Sequence, residues 1–197
     1  MTPEALQSAL NELRFAREAE LKSRYARSLP FADGLFDRWE RGRRLGFGKA
    51  ASIYDSACVF GDVAVGAETW IGPWVMLDGS GGGIRIGSTC SISAGVHVYT
   101  HDTVLWALSG GKLGPRQGAV AIGDRVYIGS QSVIGRGVRI GDMCVIAANS
   151  FVRHDVPPRL ILAGVPAKPI GRVEGEDEAV RLVFDAESSA ALLSASL

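Results

Sequence analysis

The feature that most constrains this chain is a period of six. From Ile122 an aliphatic residue recurs at Ile128, Ile134, Ile140, Ile146 and Val152. The residue that follows is small at Gly123, Gly129, Gly135, Gly141 and Ala147. Four positions after each aliphatic stands another small or β-branched residue: Val126, Ser132, Val138, Cys144, Ser150 and Val156. The same phase runs upstream through Ile53, Val59, Val65, Ile71 and Leu77, then Ile86, Ile92 and Val98, with Ala57, Val63, Thr69, Val75, Cys90 and Val96 at fourth positions. A fixed step of six is neither helical nor a plain alternating strand. Positions such as Val126 and Ile128 lie two apart, so on a short strand they point to one side. A turn follows and the chain repeats. Three such faces close a triangular coil of about eighteen residues, and stacked coils bury a continuous aliphatic column. An ordinary sandwich or barrel of short strands has no need of fixed spacing.

Two gaps break the phase. Between Leu77 and Ile86 three residues are inserted, in the stretch Asp78-Gly-Ser-Gly-Gly-Gly83, and between Val98 and Ile122 the phase is lost over residues 103–121. In a solenoid, insertions are expected as loops thrown out from one face, and the second is long enough to be a functional arm. The repeat region is expected over 51–172. Before it, residues 3–28 read as one helix with Leu6, Leu10, Leu13 and Leu21 among its apolar positions, and 31–50 as a mixed lead-in with Trp39 and four arginines. The run from Arg38 to Arg44 reads as a solvated surface, with an anion site as the alternative. Residues 173–197 read as an acidic, then apolar tail with a short helix or disorder. Both appendages are expected to cap the open ends of the column.

Composition excludes several classes. Lys plus Arg number 21 and Asp plus Glu 21, so the net charge is zero, which argues against a general nucleic-acid binder. No stretch is apolar for long enough to insert in a membrane, and the N-terminal residues lack the apolar run of a signal peptide, so a cytoplasmic protein is expected. Cys58, Cys90 and Cys144 are far apart, with no CxxC pair; they read as small buried residues, and no metal is expected.

Three histidines exist: His97, His101 and His154. In the hexad starting at Val98, the inward positions are Val98 and the residue four further on. His97 and His101 therefore face outward, and His101 abuts the long insertion. His154, before Pro157-Pro158, reads as surface.

The hexads resemble those of the hexapeptide-repeat acyltransferases. The block Ile92-Ser-Ala-Gly-Val-His-Val-Tyr-Thr-His-Asp-Thr-Val104, followed by Trp106-Ala-Leu-Ser-Gly-Gly-Lys112, is similar to sugar acetyltransferases of surface-polysaccharide pathways. The resemblance implies a mainly β fold, a left-handed parallel β-helix with an N-terminal helix and a short C-terminal tail. It implies a homotrimer with acetyl-CoA, as co-substrate, in a groove between subunits. It also implies transfer of the acetyl group to a sugar hydroxyl, with His101 as general base and His97 as the second choice. Imidazole suits that work at neutral pH, and the inward phase of Cys90 and Cys144 favours direct transfer over a covalent intermediate.

Gly129 and Ala147 stand eighteen residues apart on adjacent coils, where small residues would let a pantetheine arm approach the backbone. The segment Ala163-Gly-Val-Pro-Ala-Lys-Pro-Ile-Gly-Arg172 resembles the family's closing segment, which implies that Lys168 and Arg172 meet the phosphates of CoA; Val165-Pro166-Ala167 would also seal the column. Asp78, Trp74 and Trp106 are candidates for the acceptor sugar, since sugars pack on aromatic faces and hydrogen-bond to carboxylates. Three other readings are N-acetylation of a nucleotide-linked amino sugar, a γ-type carbonic anhydrase with three histidines on zinc, and a non-catalytic scaffold.

Overall fold

The structure, a computed structural model, describes residues 1–185. The hexads form three stacks of parallel strands, one for each side of a triangular coil. One face carries Ile53, Ile71, Ile92, Ile128, Ile146 and Leu162 as successive partners. The second carries Val59, Leu77, Val98, Ile134 and Val152. The third carries Val65, Ile86, Ile122, Ile140 and Val156. All of these but Val59 are buried, and most of the fourth-position residues join them in one core. The mainly β, parallel β-helix expected from the repeats is therefore what forms.

The glycine-rich insertion does not leave the coil as a loop. Met76–Ile86 is one continuous strand that turns the corner between the second and third faces, paired along Cys58–Val65 with a register shift between Gly61 and Val63. The reason is steric. Gly79 and Gly81 lie against neighbouring backbone, where a Cβ would collide with the carbonyl oxygens of Asp62 and Thr100, and Gly82 and Gly83 hold positive φ. The stretch stays in the wall because four of its six residues, Gly79, Gly81, Gly82 and Gly83, have no side chain to collide with it. The long insertion leaves the same corner one coil later, and its hexad phase resumes at Val120, which is buried and pairs with Ile84, so the arm ends short of residue 121.

Helix α1 spans Pro3–Tyr25, three residues shorter than expected, and stops where Ala26 turns left-handed. None of its residues is buried, so it does not cap the column. That role falls to α3 (Arg38–Arg44), reached through α2 (Phe31–Leu35). Gly42 lets α3 lie on the first coil, since a Cβ there would stand 2.6 Å from the Ala51 carbonyl oxygen. Arg41 donates to the carbonyl oxygens of Tyr54 and Ala57, and Arg38 stacks 4.2 Å over Trp39 and donates to the Tyr54 hydroxyl. These two arginines are structural ties, and not the solvated run the sequence suggested.

At the other end, Leu160–Gly164 extends the first face and Ala167–Glu174 returns antiparallel to it, joined by Arg181–Phe184. The expected tail is thus strand across residue 173, held by a second small core of Met143, Ile161 and Val173. Residues 186–197 lie outside the described residues. Of the segment expected to seal the column, Val165 and Pro166 form an exposed hairpin turn, while Ala167 packs against the core that Leu162 joins. Among the described residues no helix is long and apolar enough to cross a membrane.

Candidate active site

The two insertions meet at one corner, and Thr100 ties them. Its buried hydroxyl donates to the Asp78 carbonyl oxygen at 2.7 Å and accepts from the Gly81 N–H at 2.8 Å. The Gly118 N–H, at the return of the arm, is shared between the carbonyl oxygens of Gly81 and Thr100. The inward place expected four residues after Val98, at Asp102, is therefore taken two residues earlier by Thr100. Asp102 itself is half-buried and turned to the arm, because the chain leaves the coil here.

His101 emerges directly above the glycine-rich strand. Its Nδ1 is buried, lacks a hydrogen-bond partner, and lies 3.7 Å from Asp78 Oδ2. That is an ion-pair separation, longer than a hydrogen bond. The His101 side chain is 29% exposed and that of Asp78 only 16%. The other Asp78 oxygen accepts from the Ser80 N–H at 3.1 Å and from the Ser80 hydroxyl. Asp78, a candidate for the acceptor sugar, thus faces the imidazole.

The arm closes on itself through His101–Asp102 paired antiparallel with Arg116–Gln117, and carries the short helix α4, Val104–Leu108. Asp102 accepts from Arg136 at 2.6 Å and from Arg116 at 3.1 Å. Hydrogen bonds from Arg136 first, then Arg116, pull its carboxyl down to about 2. Beside this network opens a groove of about 520 Å3 lined by Tyr99, His101, Asp102, Arg116, Val133, Gly135, Arg136, Phe151 and Arg153. Val133 pairs with His97 on one side and Phe151 on the other, so successive coils supply the floor. Apart from His101, none of the groove residues was singled out in the sequence as a site residue, because they are brought together from the arm and three successive coils.

The remaining candidates are dispersed. His97 does not line the groove; its Nδ1 is bonded to the Tyr99 hydroxyl at 3.0 Å. His154 is exposed and bonded to Arg153. Trp74 is exposed in a turn with φ of 57°, and Trp106 is exposed on α4; neither lines the groove. Gly129 lies against the next coil as its spacing requires, where a Cβ would meet Ala147 and Ala148 backbone within 2.9 Å. Lys168 and Arg172 share the returning strand, and Arg172 is held by Glu174 at 2.6 Å. Burial pushes the thiols of Cys90 and Cys144 up, and each donates to a carbonyl oxygen at 3.1 Å. Among the described residues no group of three or more His, Cys, Asp or Glu side chains is arranged to hold a metal ion.

Comparison with known proteins agrees with this architecture. Residues 119–153 match the sequence profile of the hexapeptide repeat of succinyl-transferase. Galactoside O-acetyltransferase of Escherichia coli is 46% identical over 59 residues, covering 30% of this chain and 29% of that protein. Carnitine operon protein CaiE of Escherichia coli is 33% identical over 135 residues, covering 64% of this chain and 67% of that one. A hexapeptide-repeat acetyltransferase of Vibrio cholerae, VCA0836, solved with acetyl-CoA, superposes with a TM-score of 0.53 at 26% identity, over 84% of this chain and 89% of that chain. The chain spans less than two thirds of the length of galactoside O-acetyltransferase and of several other curated relatives.

Proposed function

The chain belongs to the hexapeptide-repeat acyltransferases, and from that premise we propose that it transfers an acetyl group from acetyl-CoA to a sugar hydroxyl, with His101 as the general base. The observation that carries this reading is the carboxylate of Asp78 standing 3.7 Å from a buried and otherwise unpartnered His101 Nδ1. A carboxylate facing one ring nitrogen favours the imidazolium that forms when Nε2 takes a proton. His101 also lines a groove large enough for a small acceptor.

In the reaction, the acceptor oxygen bonds to the thioester carbonyl carbon as His101 takes its proton. The resulting imidazolium is stabilised by Asp78. The tetrahedral adduct collapses, the carbon–sulfur bond breaks, and the proton passes to the departing thiolate. No covalent enzyme intermediate is needed, and the inward, high-pKa thiols of Cys90 and Cys144 are poor nucleophiles. The donor's pantetheine arm runs past Gly129 and Ala147, with Lys168 and Arg172 toward its phosphates. The working unit is a homotrimer, as family membership implies, and the acceptor is a sugar of a surface polysaccharide or its precursor.

The test is release of CoA thiol and mass spectrometry of sugars incubated with protein and acetyl-CoA. His101→Ala should lower turnover by about a hundredfold or more, with acetyl-CoA affinity retained. Near-normal turnover in that variant would overturn the base assignment.

A further inference from the structure

The groove beside His101 is strongly asymmetric in charge. Three guanidinium groups, Arg116, Arg136 and Arg153, line it with one carboxylate, Asp102. Asp102 is already engaged: it takes Nε and Nη2 of Arg116 and Nε of Arg136. Arg153 gives its Nε to the His154 ring. Among the described residues, the terminal nitrogens of Arg136 and Arg153 make no hydrogen bond, although both side chains line the groove. Asp78 makes no ion pair with them; it faces His101 Nδ1 and does not line the groove.

The groove that these two arginines line also includes Gly135. Gly135 follows the Ile134 that pairs with Val98 and Val152, which places it between Tyr99 and Arg153 on adjacent coils. Its backbone does not need glycine. A Cβ there would meet the Val152 carbonyl oxygen at 3.4 Å and the Phe151 ring at 3.6 Å, which are ordinary contacts. Leaving the side chain out opens space within the groove and relieves no clash.

We propose that the acyl acceptor is anionic: a carboxylate or phosphate on it is clamped by Arg136 and Arg153 over Gly135, and this holds the reacting hydroxyl or amine at His101. Paired guanidinium groups are suited to both anions, through two parallel N–H donors each. The alternative source of the charge is the donor. Its phosphates are separated from the thioester by the full pantetheine arm, whereas these arginines share the groove with the base itself. The proposal rests on the acetyl-transfer reading and adds the class of acceptor to it.

The test uses matched probes: glucosamine with glucosamine 6-phosphate, and galactose with galacturonate. Each is titrated calorimetrically into protein saturated with CoA, and each is assayed for CoA thiol release with acetyl-CoA. An anionic member should bind at least about tenfold more tightly than its neutral partner, on the scale of charge-assisted hydrogen bonds. Arg153→Gln should erase most of that preference while neutral probes bind as before, and Gly135→Val should weaken the anionic probe by filling the floor. If no anionic probe binds more tightly than its neutral partner, the proposal is wrong. It is equally wrong if Arg153→Gln weakens acetyl-CoA but spares acetyl-pantetheine, since the arginines then serve the donor. Failure of the acetyl-transfer reading shows separately, as absence of acetyl-CoA binding in the wild-type protein.

Discussion

Gly81 lies so close beneath His101 that a methyl group on it would sit 2.6 Å from the His101 Cβ and 2.5 Å from the Thr100 carbonyl oxygen. The glycine-rich insertion of one coil is thus the seat for His101 on the next. Asp78, at the start of the same insertion, comes to the imidazole for the same reason.

Gly81→Ala should therefore damage function more than fold. The added carbon must push the start of the arm outward, and displacement of a base by about 1 Å can cost on the order of a hundredfold in rate. Thermal melting should stay cooperative while CoA thiol release falls by about tenfold or more. Wild-type rates would mean that the arm has slack and that His101 is not seated by this contact.

Asp78→Asn separates two roles for the carboxylate. As partner of His101, its loss should lower kcat by roughly ten- to a hundredfold with little change in the KM of the acceptor. If Asp78 instead held the acceptor sugar, KM would rise and kcat would hold. Steady-state kinetics at saturating acetyl-CoA reads the difference.

The arm should be insensitive to pH over most of the range. The Asp102 carboxyl is about 2 in the folded protein, below the ordinary value of about 3.9 for an aspartate. Its contribution to docking the arm is fully present above the ordinary value and is lost as pH falls through about 2. Limited trypsin cleavage after Lys112 or Arg116 should therefore be as slow in wild type at pH 5 as at pH 8, relative to an unstructured peptide control. Asp102→Asn should speed it at both. Equal cleavage of variant and wild type would show that the antiparallel pairing of His101–Asp102 with Arg116–Gln117 suffices to hold the arm.

Changing Lys168 and Arg172 to Ala together should weaken acetyl-CoA binding by roughly 1–3 kcal/mol if they meet its phosphates. Acetyl-pantetheine should be handled alike by wild type and variant. Arg172 is shared with Glu174, which also holds Arg181 at 2.7 Å, so Glu174→Gln should tighten acetyl-CoA binding by freeing both guanidinium groups. Calorimetry on the three proteins decides; loss of acetyl-pantetheine binding in the double variant would assign the segment a structural role instead.

The column and its faces are legible in the sequence because burial of one aliphatic side chain every sixth residue is a local rule, written along the chain without reference to anything distant. The same rule turns Cys90 and Cys144 inward, but after Val98 it is broken, since Thr100 and not Asp102 takes the inward place beside His101. It fails at the appendages, where no period exists: α1 is exposed although it carries leucines, and the expected tail becomes strand as Arg181–Phe184 pairs back onto Ala167–Glu174. It also fails inside the gap between Leu77 and Ile86, where glycines keep the extra residues in the wall.

What only the tertiary structure decided is the groove. Asp102 and Arg136 meet at 2.6 Å from positions 34 residues apart, and Asp78 reaches His101 across adjacent coils. The number of residues between two gaps tells how many coils separate them, but not how the arm folds back or which guanidinium a carboxylate selects. Those choices depend on packing among chains of atoms that meet only once the coils have stacked, and no periodic pattern in the sequence encodes them.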